Sequence, residues 1–161
     1  MKKTVIAIAV LSLAISCKEG QNKNSPGMEA TIETVDHESH AGATKGPDEA
    51  WVKEIVLDNG IKWRANVETT NGVTKMLSLI SENQASTAEG YRKLGDGLNE
   101  VKNTVVKECT MEGASHDNLH VWLHPLIEKI ERLQKTESAE EGAKLTSNIK
   151  NHLEGYFDYF N

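Results

Sequence analysis

Long apolar runs, cysteines and basic residues are all scarce in this sequence, and each scarcity excludes something. The longest apolar run, Thr4 to Ala14, is far too short to span a bilayer. Only two cysteines are present, Cys17 and Cys109, so no dense disulfide framework holds the fold. Lys and Arg number 18 against 24 Asp and Glu, a formal net charge of −6. An acidic chain repels phosphate backbones and anionic headgroups, which argues against a nucleic-acid partner. Several chemistries are missing outright. There is no C-x-x-C-H for covalent haem, no G-x-S-x-G nucleophile elbow and no glycine-rich phosphate loop. No internal repeat and no coiled-coil heptad of useful length is visible.

The N-terminus carries the clearest pattern. Met1-Lys2-Lys3 is a short basic stretch, and the apolar run after it has the length of a signal-peptide core. The run closes on Ala14-Ile15-Ser16-Cys17. This resembles the lipobox of bacterial lipoproteins, departing from it in having Ala14 where Leu is commoner. The resemblance implies a signal peptide over residues 1–16, a diacylglyceryl group on Cys17, and a mature chain anchored to the cell envelope without spanning the membrane. The implied location is the periplasmic face or the outer-membrane surface. Lys18-Glu19-Gly20 is similar to the residues that follow the cysteine in Bacteroidota lipoproteins, where charge there favours surface display. Loss of residues 1–16 removes Lys2 and Lys3 and no acid, moving the net charge to −8. With Cys17 acylated, Cys109 has no partner in its own chain. A lone thiol in an oxidising compartment should be buried or coordinated.

Residues 17–46 are rich in Lys, Glu, Asn, Ser, Gly and Thr and have few large apolar residues. Such a segment cannot bury a core and is expected to be a lipidated, disordered tether. Its "DHESH", with His37 and His40, suits weak metal capture or simple solvation.

A folded domain is expected over 47–161. "EIVLDNGIKWRA" alternates around Asp58-Asn59-Gly60, and Asn-Gly accepts the positive φ of a tight turn, so a small hairpin is predicted at about 54–65. Trp51 and Trp63 should pin it down. Four amphipathic helices follow. The first covers about Glu68 to Ser81. The second carries Tyr91, Leu94, Leu98, Val101, Val105 and Cys109 in one stripe, weakened by Gly95 and Gly97. The third is expected to be capped by Ser115 and kinked or broken at Pro125. The fourth is capped by Ser138, with Glu140 and Glu141 in its first turn. Short links make neighbours antiparallel, so the predicted fold is an all-α, up-down-up-down four-helix bundle with a small N-terminal hairpin.

Such a bundle gathers chemistry at one end. Cys109 ends the second helix and His116 starts the third, both on apolar faces; His120 falls one turn further in, at the margin of the third helix's apolar face, and His124 further round. Met111 lies in the link between them. His124, His152 and Met76 fall about two turns in from that end by helix rise. The expected cluster is therefore Met76, Cys109, Met111, His116, His120, His124 and His152. Thiolate, thioether and imidazole suit copper, and imidazole with thiolate suits zinc. Each residue also has a plain structural reading, as a core cysteine, a core methionine or a histidine at a polar margin.

"HDNLH" departs from the zinc-protease H-E-x-x-H in placing Asp117 where the glutamate belongs, and no protease activity is expected from it. The span from "LDNGIKWRAN" to "CTMEGASHDNLH" is similar to small Bacteroidota lipoproteins, a resemblance that implies the tether-and-bundle layout and no reaction. The expected protein is non-enzymatic and lipid-anchored, binding copper before zinc. Two alternatives stand beside it: a metal-free structural or interaction module, with Trp122 as its exposed anchor, and a bundle holding non-covalent haem through His and Met.

Overall fold

A computed structural model describes residues 47–161. The signal segment, Cys17, the tether and His37 and His40 lie outside the described residues. A 3₁₀ stretch, Pro47–Lys53, is followed by four α-helices: α1, Val67–Ser81; α2, Ala88–Glu108; α3, Gly113–Gln134; and α4, Ala139–Tyr159. The four pack against one another as a helical bundle. None of the described helices is long and apolar enough to cross a membrane.

Local chemistry explains most of the boundaries. Thr87 caps α2 by accepting from the Gly90 amide at 3.1 Å, and Ser138 caps α4 by accepting from Glu141 at the same distance. Each satisfies an amide that the helix itself leaves unbonded. The Glu141 carboxylate turns back to the Glu137 amide and the Thr136 hydroxyl, closing the α3–α4 link. Both glycines of α2 sit inside an unbroken helix. Gly95 is buried, and a Cβ there would lie 2.9 Å from the Gln134 amide nitrogen, so the missing side chain lets α2 and α3 approach.

Three expected boundaries shift. The third helix starts at Gly113 and not beyond Ser115: Gly113 adopts φ 61° and Glu112 stands at the cap position. The Ser115 hydroxyl instead donates to the Glu112 carbonyl at 3.1 Å. Cys109 lies just past α2, with extended backbone at φ −66° and ψ 123°, rather than in its last turn. Pro125 does not break α3, which runs on to Gln134. An interior proline costs about 3 kcal/mol. Here it is flanked by Trp122, Leu123, Leu126, Lys129 and Ile130, all buried, and that packing holds the helix on both sides of it.

Contacts between helix starts and helix ends order the bundle. At the start of α1, Asn66 Nδ2 donates to the Glu108 carbonyl at the end of α2. Thr70 Oγ1 lies 3.0 Å from the Tyr156 hydroxyl near the end of α4. At the other end, Arg92 of α2 donates to Thr136 just past α3, and Gln134 of α3 donates to Asp96 of α2. The core runs through the middle, built from Val73, Met76, Leu98, Leu119, Trp122, Leu126, Ile130, Ile149, Leu153 and Tyr156.

Around the Asn-Gly pair, Asp58 and Ile61 exchange both backbone hydrogen bonds at 2.9 Å. Asn59 and Gly60 take φ of 50° and 85°, the paired positive angles of a type I′ turn. No strand is present among the described residues. The chain beyond the turn pairs instead with the C-terminus: Trp63 donates to Tyr159 and accepts from Asn161, and Ala65 donates to Asn161. Trp63 Nε1 ties back to the Val56 carbonyl at 2.7 Å, and Trp51 is buried against His152 and Tyr159.

Candidate metal centre

The link between α2 and α3 is four residues long, Cys109 to Glu112, and it carries both sulfur donors of this end. Cys109 and Met111 are half-buried and pack against the core. Cys109 is a free thiol. The Tyr156 phenol is held above its ordinary pKa, first by burial and also by its electrostatic interaction with Cys109, while the Thr70 hydrogen bond lowers it.

Directly after the link, α3 presents a row of imidazoles. His116, His120 and His124 are each one turn apart, and i, i+4 residues share a helix face. His116 Nε2 and His120 Nε2 are 3.1 Å apart. His120 Nδ1 and His124 Nε2 are also 3.1 Å apart. Ring centroids step by 4.4 and 5.1 Å. The row runs outward: His116 is half-buried, and His120 and His124 are exposed.

His116 was expected within the apolar face of α3, His120 at its margin and His124 further round; the row keeps that order but lies further out, with His116 half-buried. Trp122, Leu126 and Lys129, all buried, rotate the apolar arc of α3 away from the histidines. At about 100° per residue, each four-residue step then carries the next imidazole about 40° further from the core. The His120 imidazolium is disfavoured, first by partial burial and then by the neighbouring His116 and His124, while Asp117 opposes the shift.

The other two expected donors lie in the core. Met76 is fully buried on α1. His152, on α4, is 2% exposed and has both ring nitrogens engaged. Its Nε2 donates to the Trp122 carbonyl at 2.8 Å, and its Nδ1 accepts from Lys129 Nζ at 3.0 Å. Trp122 Nε1 answers by donating to the His152 carbonyl at 3.1 Å. Burial, then the Lys129 ammonium, push the His152 pKa down to about 3 against the opposing pull of the Trp122 carbonyl. The neutral ring is thus a structural hub.

Lys129 is 4% exposed and belongs to this hub, yet the sequence reading did not single it out. A signal was there. Leu119, Trp122, Leu126, Lys129 and Leu133 are spaced three, four, three and four apart, so the lysine occupies an inward position.

The seven expected donors therefore fall into three sets: sulfur in the link, imidazoles on the outer face of α3, and Met76 with His152 in the core. Among the described residues, no three His, Cys, Asp or Glu side chains converge closely enough to hold a metal ion. Two nitrogens do converge, at His116 and His120, in the first turns of the helix that follows the sulfur-bearing link in the chain. A groove of about 270 Å³ between α1 and α2, bordered by Glu68, Lys75, Val101 and Glu108, carries no His, Cys or Met. Trp122 is fully buried. The chain matches no protein-family model, and neither the curated proteins nor the solved structures include a significant match to it.

Proposed function

We propose that this is a non-enzymatic, lipid-anchored cell-envelope protein that binds a transition metal, copper before zinc, at the α2–α3 corner of an up-down-up-down bundle with a small hairpin turn at Asn59-Gly60. His116 and His120 supply imidazole, and Cys109 and Met111 supply sulfur from the adjoining link. The observation that carries this reading is the pair of Nε2 atoms 3.1 Å apart on one helix face. With metal–nitrogen bonds of about 2.0–2.1 Å, that separation corresponds to a ligand–metal–ligand angle of about 100°. A free thiol and a thioether in the four-residue link that leads into α3 are soft donors, which favours Cu(I) over harder cations. The acidic chain, with its net charge of −6, adds a field that attracts cations.

An interaction module anchored on Trp122 has lost its anchor, since that indole is in the core. Haem held inside the bundle would need His152 or Met76, and both are packed among core side chains.

Native mass spectrometry tests the proposal. The protein from residue 17 on, carrying Cys17→Ser, is exposed to Cu(I) or Zn(II) and compared with a Cys109→Ser, His116→Ala double variant. One retained ion per chain, lost in the double variant, is the expected result; equal retention by both proteins rejects the site. Mass spectrometry of the native protein in its own envelope tests the anchor, which predicts a diacylglyceryl group on Cys17.

A further inference from the structure

His120 stands in the middle of the imidazole row and points both ring nitrogens at neighbours. Nε2 faces His116 Nε2 and Nδ1 faces His124 Nε2, each at 3.1 Å. A neutral imidazole has one N–H and one lone pair. The two nitrogens lie on different edges of the ring, so one ion cannot be held by both. If His120 and His116 form the chelating pair, His120 must keep its lone pair on Nε2 and its proton on Nδ1. That proton then needs an acceptor, and His124 Nε2 is placed to accept it.

We infer that His124 is a positioning residue, not a ligand of the same ion: by accepting the Nδ1–H of His120 it fixes the tautomer that turns the Nε2 lone pair toward His116. This inference rests on the metal reading above and deepens it. The opposite proton order, with His124 Nε2–H donating to His120 Nδ1, would put a proton on His120 Nε2 and block the bite. Without metal, the favoured order has His116 Nε2–H donating to His120 Nε2 and His120 Nδ1–H donating to His124 Nε2. When an ion binds, His116 moves its proton to its own Nδ1 and the ion replaces the N–H···N contact. Both rings stay neutral, and no proton is released from this pair. Ligating histidines commonly hold their second nitrogen in such an outer contact, and losing it weakens metal binding about 10–100-fold.

Two measurements test this on the chain from residue 17 on with Cys17→Ser. The first is nitrogen-15 NMR of the histidine rings without metal. The expected signature is Nδ1–H on His120, lost in His124→Ala and regained in His124→Gln, whose side-chain carbonyl also accepts. The second is affinity for Cu(I) and Zn(II), each measured alone by competition with a chromophoric chelator. His124→Ala should bind about 10–100-fold more weakly, His124→Gln should recover most of the loss, and His120→Ala should weaken binding more than either. Wild-type affinity in His124→Ala overturns the inference. So does an Nε2–H tautomer on His120 in the parent. A loss in His124→Ala as deep as in His120→Ala, with no rescue by Gln, also overturns it and marks His124 as a ligand. If the parent binds neither ion, the metal reading falls, and the tautomer measurement alone decides whether His124 positions His120.

Discussion

His152 and the row on α3 show the same side chain in two situations. His152 is 2% exposed, donates one nitrogen to Trp122 and accepts on the other from Lys129. Nothing remains for a ligand. The row on α3 has its rings at or near solvent, and its nitrogens meet only other imidazoles. Those contacts can be given up near solvent without leaving a buried group unsatisfied, and the 3.1 Å between nitrogens is a span that one ion can bridge. A histidine whose N–H is tied to the backbone of a neighbouring helix and whose lone pair accepts from a buried lysine serves the fold. One whose lone pair meets another imidazole near solvent is available for chemistry.

Breaking the inner histidine should have the largest effect. His152→Ala leaves the Lys129 ammonium without its imidazole and the Trp122 carbonyl without its donor, and it opens a cavity beside Trp51. A loss of about 3–5 kcal/mol is expected, read as a lowered midpoint in urea unfolding. Acid should reach the same hub next. The His152 pKa is held near 3, below its ordinary value of 6.5. Between those values the unfolded chain binds a proton that the folded chain refuses. Stability therefore falls as pH drops from about 6.5 toward 3, by up to about 1.4 kcal/mol per pH unit, and this contribution levels off below. A His152→Gln protein should lack that slope in denaturation series across pH. If the slope persists, another group sets the acid sensitivity.

The outer histidines should behave in the opposite way. His120→Ala should change unfolding free energy by no more than about 0.5 kcal/mol, as exposed substitutions do, and the half-buried His116→Ala by about 1 kcal/mol at most, while metal retention falls at least tenfold in each. A large stability loss without a change in metal retention would erase the contrast. A surface side chain that is tied down sits between these extremes. Ser138→Ala removes the acceptor for the Glu141 amide, and about 1 kcal/mol should be lost in thermal or urea unfolding.

Periodicity was enough to read four helices, because the apolar positions at three- and four-residue spacing are the positions that the core buries. The Ser138 cap was legible for a similar reason: a hydroxyl just ahead of two glutamates and an amphipathic run has a local bond to make. The start of α3 was not. Ser115 looks like a cap, but Gly113 can take positive φ and lets the helix begin earlier. Pro125 does not break the helix, since a local penalty is outweighed by packing that no local pattern displays. At the site, the i, i+4 spacing placed the histidines as neighbours turning progressively outward, but set the whole row further inward than it lies. Their distance from the core depends on where the centre of α3's apolar arc falls, and Trp122 and Lys129 move that centre. Lys129 hid because a charged residue inside an apolar stripe reads as an interruption until its partner on another helix is known. The pairing of His152 with Trp122 joins residues thirty apart and leaves no local trace.

The most direct test is a Zn(II) titration followed by the ring signals of all described histidines in one NMR experiment. The ring signals of His116 and His120 should shift or broaden together and saturate at one equivalent, while His152 keeps its position throughout. Unmoved His116 and His120 signals, or a His152 signal that moves with the metal, would contradict the division of labour between the outer and inner imidazoles.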